Sequence, residues 1–451
     1  MKDLPMKIIN TRCAGIDVGS RFHMVAVGQT KENVRQFGVY SQDQQDMIAW
    51  LKLHRISSIA MESTGNYWQT LFDALQRAGF EVHLVNGNQI KNVKGKKTDV
   101  LDCLWIQKLH SLGLLNGSFL PAADIQSLRT YHRHRLHLIE QCSRYINKMQ
   151  KAMRLMNIRL DVVLNDIMGQ SGRLIIEAIL AGERDAQKLA SLANYRVKKS
   201  KREIAKALQG NWREDLLFEL RRCLNLHDVY CQEIKECDHH MELTIKSLLP
   251  TPSNIADFKS AKATKQRNKY MPGFDMECFS WQFYGVNLME IQGVGAGTIL
   301  SLLTQVGDRI DHFPSSKHFC SWLRLAPNNK LTGGKIISSR TPKGKNLLAL
   351  ALRQAANAIG NQKEGALVCF FKRVAYKKDR ASAITATARK LAVIIYNMII
   401  KKESYRPSEP LPISNRLKNK IIRNLRARVE KLELTKEQFE YLFQGASFST
   451  A

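Results

Sequence analysis

Between residues 12 and 29, RCAGIDVGSRFHMVAVGQ, apolar positions alternate on both sides of a glycine-containing turn, and ENVRQFGVYS continues the two-residue period. That period sends successive side chains to opposite faces and predicts two or three paired strands. The spacing turns helical in QQDMIAWLKLH, returns to a short apolar strand in SSIAMEST, is helical again in NYWQTLFDALQRAGF and ends on a strand in EVHLVN. The order β-β-β-α-β-α-β predicts a mixed sheet with helices on its faces. From about residue 98 onward the pattern is helical.

Residues 124–250 are poor in Gly and Pro and rich in Leu, Ile, Lys and Arg, as in LRTYHRHRLHLIEQCSRYINKMQKAMRLM, which predicts long helices paired as a coiled coil. Pro, Ser and Lys break the pattern over residues 248–274, where a linker is expected. A second compact domain runs from IQGVGAGTILSLLTQVGD to ARKLAVIIYNMIIKK, and the last segment, NRLKNKIIRNLRARVEKLELTKEQFEYLF, is basic before a short helical end. The expected division is an α/β domain over 1–123, a helical region over 124–250 that has room for the end of the first domain, a linker over 251–280, a mainly helical domain over 281–405 and a basic tail over 406–451.

Charge narrows the function. The 69 Lys and Arg residues outnumber 40 Asp and Glu, a net charge of +29, which favours a polyanionic partner, nucleic acid first. No run of about 18 apolar residues is present and MKDLPMKIIN has no apolar signal core, so neither a membrane span nor secretion is expected, and the protein is placed in the cytoplasm with the nucleoid. The nine cysteines are odd in number and follow no repeating frame, as reduced thiols do. Their densest patch, CQEIKECDHH, has Cys231, Cys237, His239 and His240 without a CxxC or HxxxH spacing and reads as a helix surface rather than a metal site.

Against this basic background four acids stand out. Asp17 ends one apolar strand and Glu62 another, while Asp99 and Asp102, at i and i+3, share one helix face directly behind Lys94, Lys96 and Lys97. Carboxylates brought together from strand ends and a helix repel unless a cation sits among them, and hard oxygen ligands suit Mg²⁺, which also binds phosphates. The lysines would draw in a backbone that the acids address only through metal. Each acid taken singly is also explained as a cap, a turn residue or a solvated helix face.

The stretches AGIDVGSRFHMVAV, AMESTGNYWQTLFDALQRAGFEVHLVN, KGKKTDVLDCLWIQKL, IQGVGAGTILSLLTQVGD, FCSWLRLAPNNKLTGGK and ITATARKLAVIIYNMI occur here in one order. In them the chain resembles the DEDD-type insertion-sequence transposases, recombinases that use a bridge RNA encoded by their own element. The resemblance implies an α/β RNase H-like (RuvC-like) domain, a long helical coiled-coil insert for dimer contacts and a mainly α C-terminal transposase domain. It places the four metal ligands on Asp17, Glu62, Asp99 and Asp102. It also implies a nucleophilic serine just before a Gly pair; this chain reads LTGGK there, so the position is held by Thr332. A threonine hydroxyl can attack phosphorus, but it is secondary and β-branched, with a stiffer χ1. Three outcomes stay open: an active enzyme using Thr332, an enzyme impaired at strand transfer, and a serine supplied from elsewhere.

Around Thr332, Lys330, Lys335, Arg340, Lys343 and Lys345 make a basic loop suited to a DNA backbone, and Arg129, Arg133 and Arg135 beside Tyr131 and several histidines offer charge and stacking faces, or else a solvated helix face. IQGVGAGT reads as half of a helix-hairpin-helix or as an ordinary turn. The resemblance implies donor and target DNA and a bridge RNA as partners and a homodimer or homotetramer as the assembly, with no membrane and no ATP. The competing readings are a Holliday-junction resolvase, against which the residues after 280 argue, a DEDD exonuclease, against which Val18-Gly19 after Asp17 argues, and a silent nucleic-acid-binding relative.

Overall fold

The computed structural model of this protein describes residues 7–90, 98–249, 270–344 and 346–407, with a few helical positions between 419 and 430. The chain divides into two compact units, Met1–Leu120 and Pro121–Ala451. Lys94, Lys96, Lys97, Lys345 and most of the expected tail lie outside the described residues.

The first unit is built on five strands, β1 (Cys13–Val18), β2 (Phe22–Ala26), β3 (Val34–Gly38), β4 (Ser58–Glu62) and β5 (Glu81–Val85), in sheet order β3-β2-β1-β4-β5. The hairpin partners β1, β2 and β3 run antiparallel, while β1, β4 and β5 are parallel, joined through α1 (Ser41–Leu53) and α2 (Trp68–Arg77). Short turns allow the antiparallel pairs, whereas parallel neighbours require a crossover long enough to hold a helix. Alternation then divides the side chains of β1. Ala14, Ile16 and Val18 pack with Met47 and Leu51 of α1 and Leu71 and Leu75 of α2, and the other face receives α3 (Gly87–Ile90) and α4 (Asp99–Ser111) through Ile90, Cys103 and Ile106. This is the mixed α/β arrangement that the strand and helix periods predict.

The second unit is mainly helical. Its longest elements are α5 (Ala123–Leu155) and α10 (Glu214–Leu248), between which lie α6 (Leu160–Val163), α7 (Gln170–Leu180), α8 (Ala186–Ser191) and α9 (Lys201–Ala207). Tyr131 stacks on His240, Arg135 meets Asp238 and Tyr145 stacks on Tyr230, so the two long helices run antiparallel. On α5 the buried positions are Ile125, Leu128, His132, Arg135, Leu138, Cys142, Met149, Ala152 and Met153, with Ile139 and Ile146 half-buried beside them; on α10 the inward positions include Leu220, Leu224, His227, Cys231, Ile234, Asp238 and Met241. Their alternating three- and four-residue steps keep one narrow seam facing a single partner. Here that partner is in the same chain. The helices α6 to α9 close one end of the pair around Ile158, Ile175, Ile176, Leu189 and Ile204.

After the pair come α11 (Met276–Tyr284), which begins inside the segment expected as linker, then α12 (Ala296–Val306), α13 (Ser316–Trp322), the hairpin β6 (Lys330–Thr332) and β7 (Lys335–Ser338), α14 (Leu347–Gly360), α15 (Ala366–Lys377) and α16 (Arg380–Lys401). Among the described residues, α16 is long and apolar enough to cross a membrane by length and composition. Half of its apolar stretch is buried, with Leu391, Ile395 and Ile399 in the core and Tyr396 donating to the Phe313 carbonyl, so it packs as a core helix.

Two arginines expected on a nucleic-acid face are turned inward. Arg129 donates to the Thr304 and Gln305 carbonyls, the last turn of α12, and burial, with Arg133 adding to it, pushes it down to about 10. Arg135 is buried in a two-pronged pair with Asp238, at 2.5 and 3.2 Å, and also donates to the Tyr270 carbonyl, while Asp238 accepts from the Gly273 amide. Helical period explains the correction: Arg129 lies beside the seam and Arg135 in it, whereas Arg133, on the outer side, stays exposed. Removing one member of a buried pair strands the other charge, so Asp238→Ala should lose about 3–5 kcal/mol in urea unfolding. The double change Arg135→Met with Asp238→Leu should recover most of that loss; equal losses in the single and the double would show that the pair has no such coupling.

Candidate active site

The acids of the first unit are positioned by a strand, its parallel neighbour and one helix. Asp17 is the fifth residue of β1, on the face that receives α4, and Glu62 ends β4 one residue past the registered pair Ile16 and Met61. Two neighbouring parallel strands therefore bring both acids to the same end of the sheet. The Thr98 hydroxyl caps α4 by accepting from the Leu101 amide, which sets Asp99 and Asp102 in the first turn. Carboxylates there face the positive end of the helix dipole and the unpaired amides.

The carboxylate oxygens of Asp17, Asp99 and Asp102 lie within 4.8 Å of one another. Asp17 and Asp102 are half-buried and Asp99 is exposed. Glu62 is half-buried on the adjacent strand, but its carboxylate stands outside this trio. The donors are all hard oxygens, close enough to share one cation and repulsive without it, so they fit a divalent metal ion. Beside them the thiol of Cys103 is pushed up to about 12, by burial first and then by the negative charge of Asp17.

What brings the helix so near the strand is Gly15, two residues before Asp17 on the same face, a position to which the sequence reading attached no role. A Cβ at Gly15 would stand 2.3 Å from the Gln107 amide nitrogen and 2.6 Å from the Cys103 carbonyl oxygen, both backbone atoms of α4. Only a strand residue without a side chain admits that approach. The signal was in the sequence, a glycine at i−2 from the strand acid, but its meaning depends on which helix lies over it.

Thr332 belongs to the second unit. It ends β6 opposite Lys335 of β7, and the two-residue connection Gly333-Gly334 has φ of +54° and +75°, the left-handed pair of a type I′ hairpin turn. Lys330, Thr332, Lys335, Arg340 and Lys343 are all exposed, together with Leu331, Ile336 and Ile337, so the hydroxyl is presented on a basic, partly apolar ribbon. In IQGVGAGT, Gly293 has φ of +84° and lies against Ile359 and the Ala355 carbonyl of α14, which gives that glycine a packing role.

Comparison with known proteins bears on both places. A family model described as Transposase, for the DEDD type of IS110, matches residues 14–158, the span holding Asp17, Glu62, Asp99 and Asp102. A second, described as Transposase IS116/IS110/IS902 family, matches residues 286–367, the span holding Thr332. The Insertion element IS110 uncharacterized 43.6 kDa protein of Streptomyces coelicolor is 30% identical over 113 residues, 25% of this chain. That match spans 28% of the relative's own length.

Gly15→Ala should push α4 off β1, lowering stability by about 1–3 kcal/mol, the usual cost of overpacking. It should also weaken Mn²⁺ binding at the carboxylates by roughly tenfold or more, since a misplaced carrier of two ligands degrades the set. Calorimetric Mn²⁺ titration beside urea unfolding reads both, and unchanged Mn²⁺ affinity would show that the close approach does not position the ligands.

Proposed function

This chain belongs to the IS116/IS110/IS902 family of transposases, and from that premise we propose that it cuts and rejoins DNA strands through its carboxylate trio and the Thr332 hydroxyl, guided by a bridge RNA. The observation that carries the reading is the convergence of Asp17, Asp99 and Asp102 from β1 and α4 within 4.8 Å, in a chain of net charge +29. A fold of the RNase H-like kind is consistent with the five-stranded mixed sheet. Asp17, Asp99 and Asp102 would hold Mg²⁺, which supplies charge stabilisation at a scissile phosphate; Glu62, outside the trio in this structure, is the fourth ligand that the resemblance implies.

The chain's own residues then have defined tasks. The Thr332 oxygen attacks phosphorus, the bond from phosphorus to the 3′ oxygen breaks, and the hydroxyl proton passes, in net terms, to that leaving oxygen. The 5′ phosphoryl group is left esterified to threonine. Rejoining to a strand cut in a second DNA keeps the number of ester bonds constant and needs no nucleoside triphosphate, in accord with a sequence that has no GxxxxGK[ST] loop. The exposed ribbon supports the role of Thr332, because a type I′ Gly-Gly turn holds the hydroxyl clear of the body of the unit. Lys330, Lys335, Arg340 and Lys343 would meet phosphates, and Leu331, Ile336 and Ile337 would lie against sugars. The acids and Thr332 sit in different compact units, and a homodimer or homotetramer, which the resemblance implies, would complete the site between subunits. Since the α5/α10 seam is filled within one chain, subunit contacts would use outer residues such as Phe218 and Val229 of α10, both exposed.

Asp99→Asn or Asp102→Asn should reduce cleavage of element-end DNA in Mg²⁺ by roughly a hundredfold or more while leaving salt-sensitive binding nearly unchanged. Normal cleavage by both variants would remove the metal site from the mechanism. Thr332→Ala should abolish the protein–DNA adduct seen on denaturing gels, and Thr332→Ser should retain it. An adduct that survives in Thr332→Ala would assign the nucleophile to another residue.

A further inference from the structure

A second cluster of potential ligands lies in the α5/α10 seam, where neither the acids nor the hairpin is involved. Three seam positions at one level carry Cys142, His227 and Cys231, in a row that also holds Leu, Ile and Met and the polar residues His132, Arg135 and Asp238. His227 and Cys231 are at i and i+4 on α10, one face of one helix, and Cys142 faces them from α5. Cys142 and His227 are buried and Cys231 is half-buried. Sulfur and nitrogen atoms of all three come within 4.8 Å of one another.

Two of the separations are close to those of a coordination shell. The two sulfurs are 3.9 Å apart, and the Cys231 sulfur is 3.7 Å from Nε2 of His227. A tetrahedral zinc ion, with Zn–S of about 2.3 Å and Zn–N of about 2.0 Å, sets its ligand atoms about 3.8 Å apart for S···S and about 3.5 Å for S···N. The sulfurs are too far apart for a disulfide, which needs about 2.05 Å. The histidine is oriented as well. Nδ1 of His227 is 3.2 Å from Oδ1 of Asp228, whose two oxygens take 2.5 and 2.6 Å hydrogen bonds from Arg173. With Nδ1–H donated to that carboxylate, Nε2 is the nitrogen that would ligate a metal, the usual outer-shell arrangement around a ligating histidine.

We propose that Cys142, His227 and Cys231 form a zinc site that clamps α5 to α10. Two thiolates and an imidazole select a thiophilic cation over Mg²⁺, which separates this site chemically from the carboxylate trio. The fourth position is left to water or to the phenol of Tyr270, which packs against the same cluster. The ordinary alternative is that the cysteines are small apolar seam residues. It does not account for a buried imidazole beside both sulfurs, with both of its nitrogens within 3.8 Å of the Cys231 sulfur and a carboxylate on Nδ1.

The test uses the full chain purified under reducing conditions, with zinc measured by mass spectrometry and Co²⁺ as a spectroscopic probe. The expected results are one zinc per chain, a thiolate-to-cobalt charge-transfer band after exchange, and a melting temperature that a chelator lowers and zinc restores. Cys142→Ser and Cys231→Ser should lose the zinc and the band, Asp228→Asn should weaken zinc affinity by about 10- to 100-fold, and Cys369→Ser and Asp17→Asn should change neither. A wild-type protein that carries no zinc and takes none up would overturn the proposal whether or not the variants fold. So would zinc content that persists in both cysteine variants, or a Cys142–Cys231 disulfide in the unreduced peptide map.

Discussion

The first unit depends on how close one helix can come to one strand. At Gly15 the backbone of α4 lies where a side chain would otherwise be, and that contact sets the distance from Asp17 to Asp99 and Asp102. The opposite face of β1 has no such freedom: Ala14, Ile16 and Val18 are locked against α1 and α2. One strand thus uses its alternation twice, with large apolar residues anchoring the sheet on one side and a glycine and an acid giving access on the other. The dipole of α4 favours the two aspartates at its start, but it offsets the mutual repulsion of three carboxylates only in part. A divalent cation among them would relieve more of it.

In the second unit the comparable constraint is polar. The α5/α10 seam contains His132, Arg135, His227 and Asp238 among apolar residues, and each has a partner. Burial, with Arg135 and then Arg133 adding to it, pushes His132 down to about 4, so it sits neutral against the Thr304 hydroxyl. Buried polar groups of this kind tolerate few registers, because sliding either helix would strand them without a partner. Several of the partners, Thr304, Tyr270 and Gly273, come from the later part of the chain, so the same contacts that fix the helix pair also fasten it to the segment that leads on to the Thr332 hairpin.

Strand and helix order in the first unit was legible because hydrophobic period is a local property: side chains two or three to four residues apart decide it. The acids were legible as candidates for the same reason, each standing at the end of a local pattern. Gly15 was not, since a glycine in a strand is ambiguous until the element above it is known. Arg129 and Arg135 were misread because charge suggests solvent, and only the partners Thr304, Gln305 and Asp238 show why these guanidinium groups turn inward. The patch CQEIKECDHH drew attention to Cys231, yet the residues beside it in space are His227, four positions earlier, and Cys142, eighty-nine positions earlier.

By itself the amino-acid sequence determined the elements, the sign of the overall charge and the chemical types at the candidate positions. All of these follow from residue identity and near-neighbour spacing. Tertiary structure decided which groups meet: that the three aspartates share one cation-sized space while the Glu62 carboxylate stands outside it, that the seam of α5 is satisfied within its own chain, and that two cysteines and a histidine face one another inside it. The physical reason is that convergence depends on close approach of backbones far apart in sequence, and that approach is set by packing volume and by partners for buried polar groups.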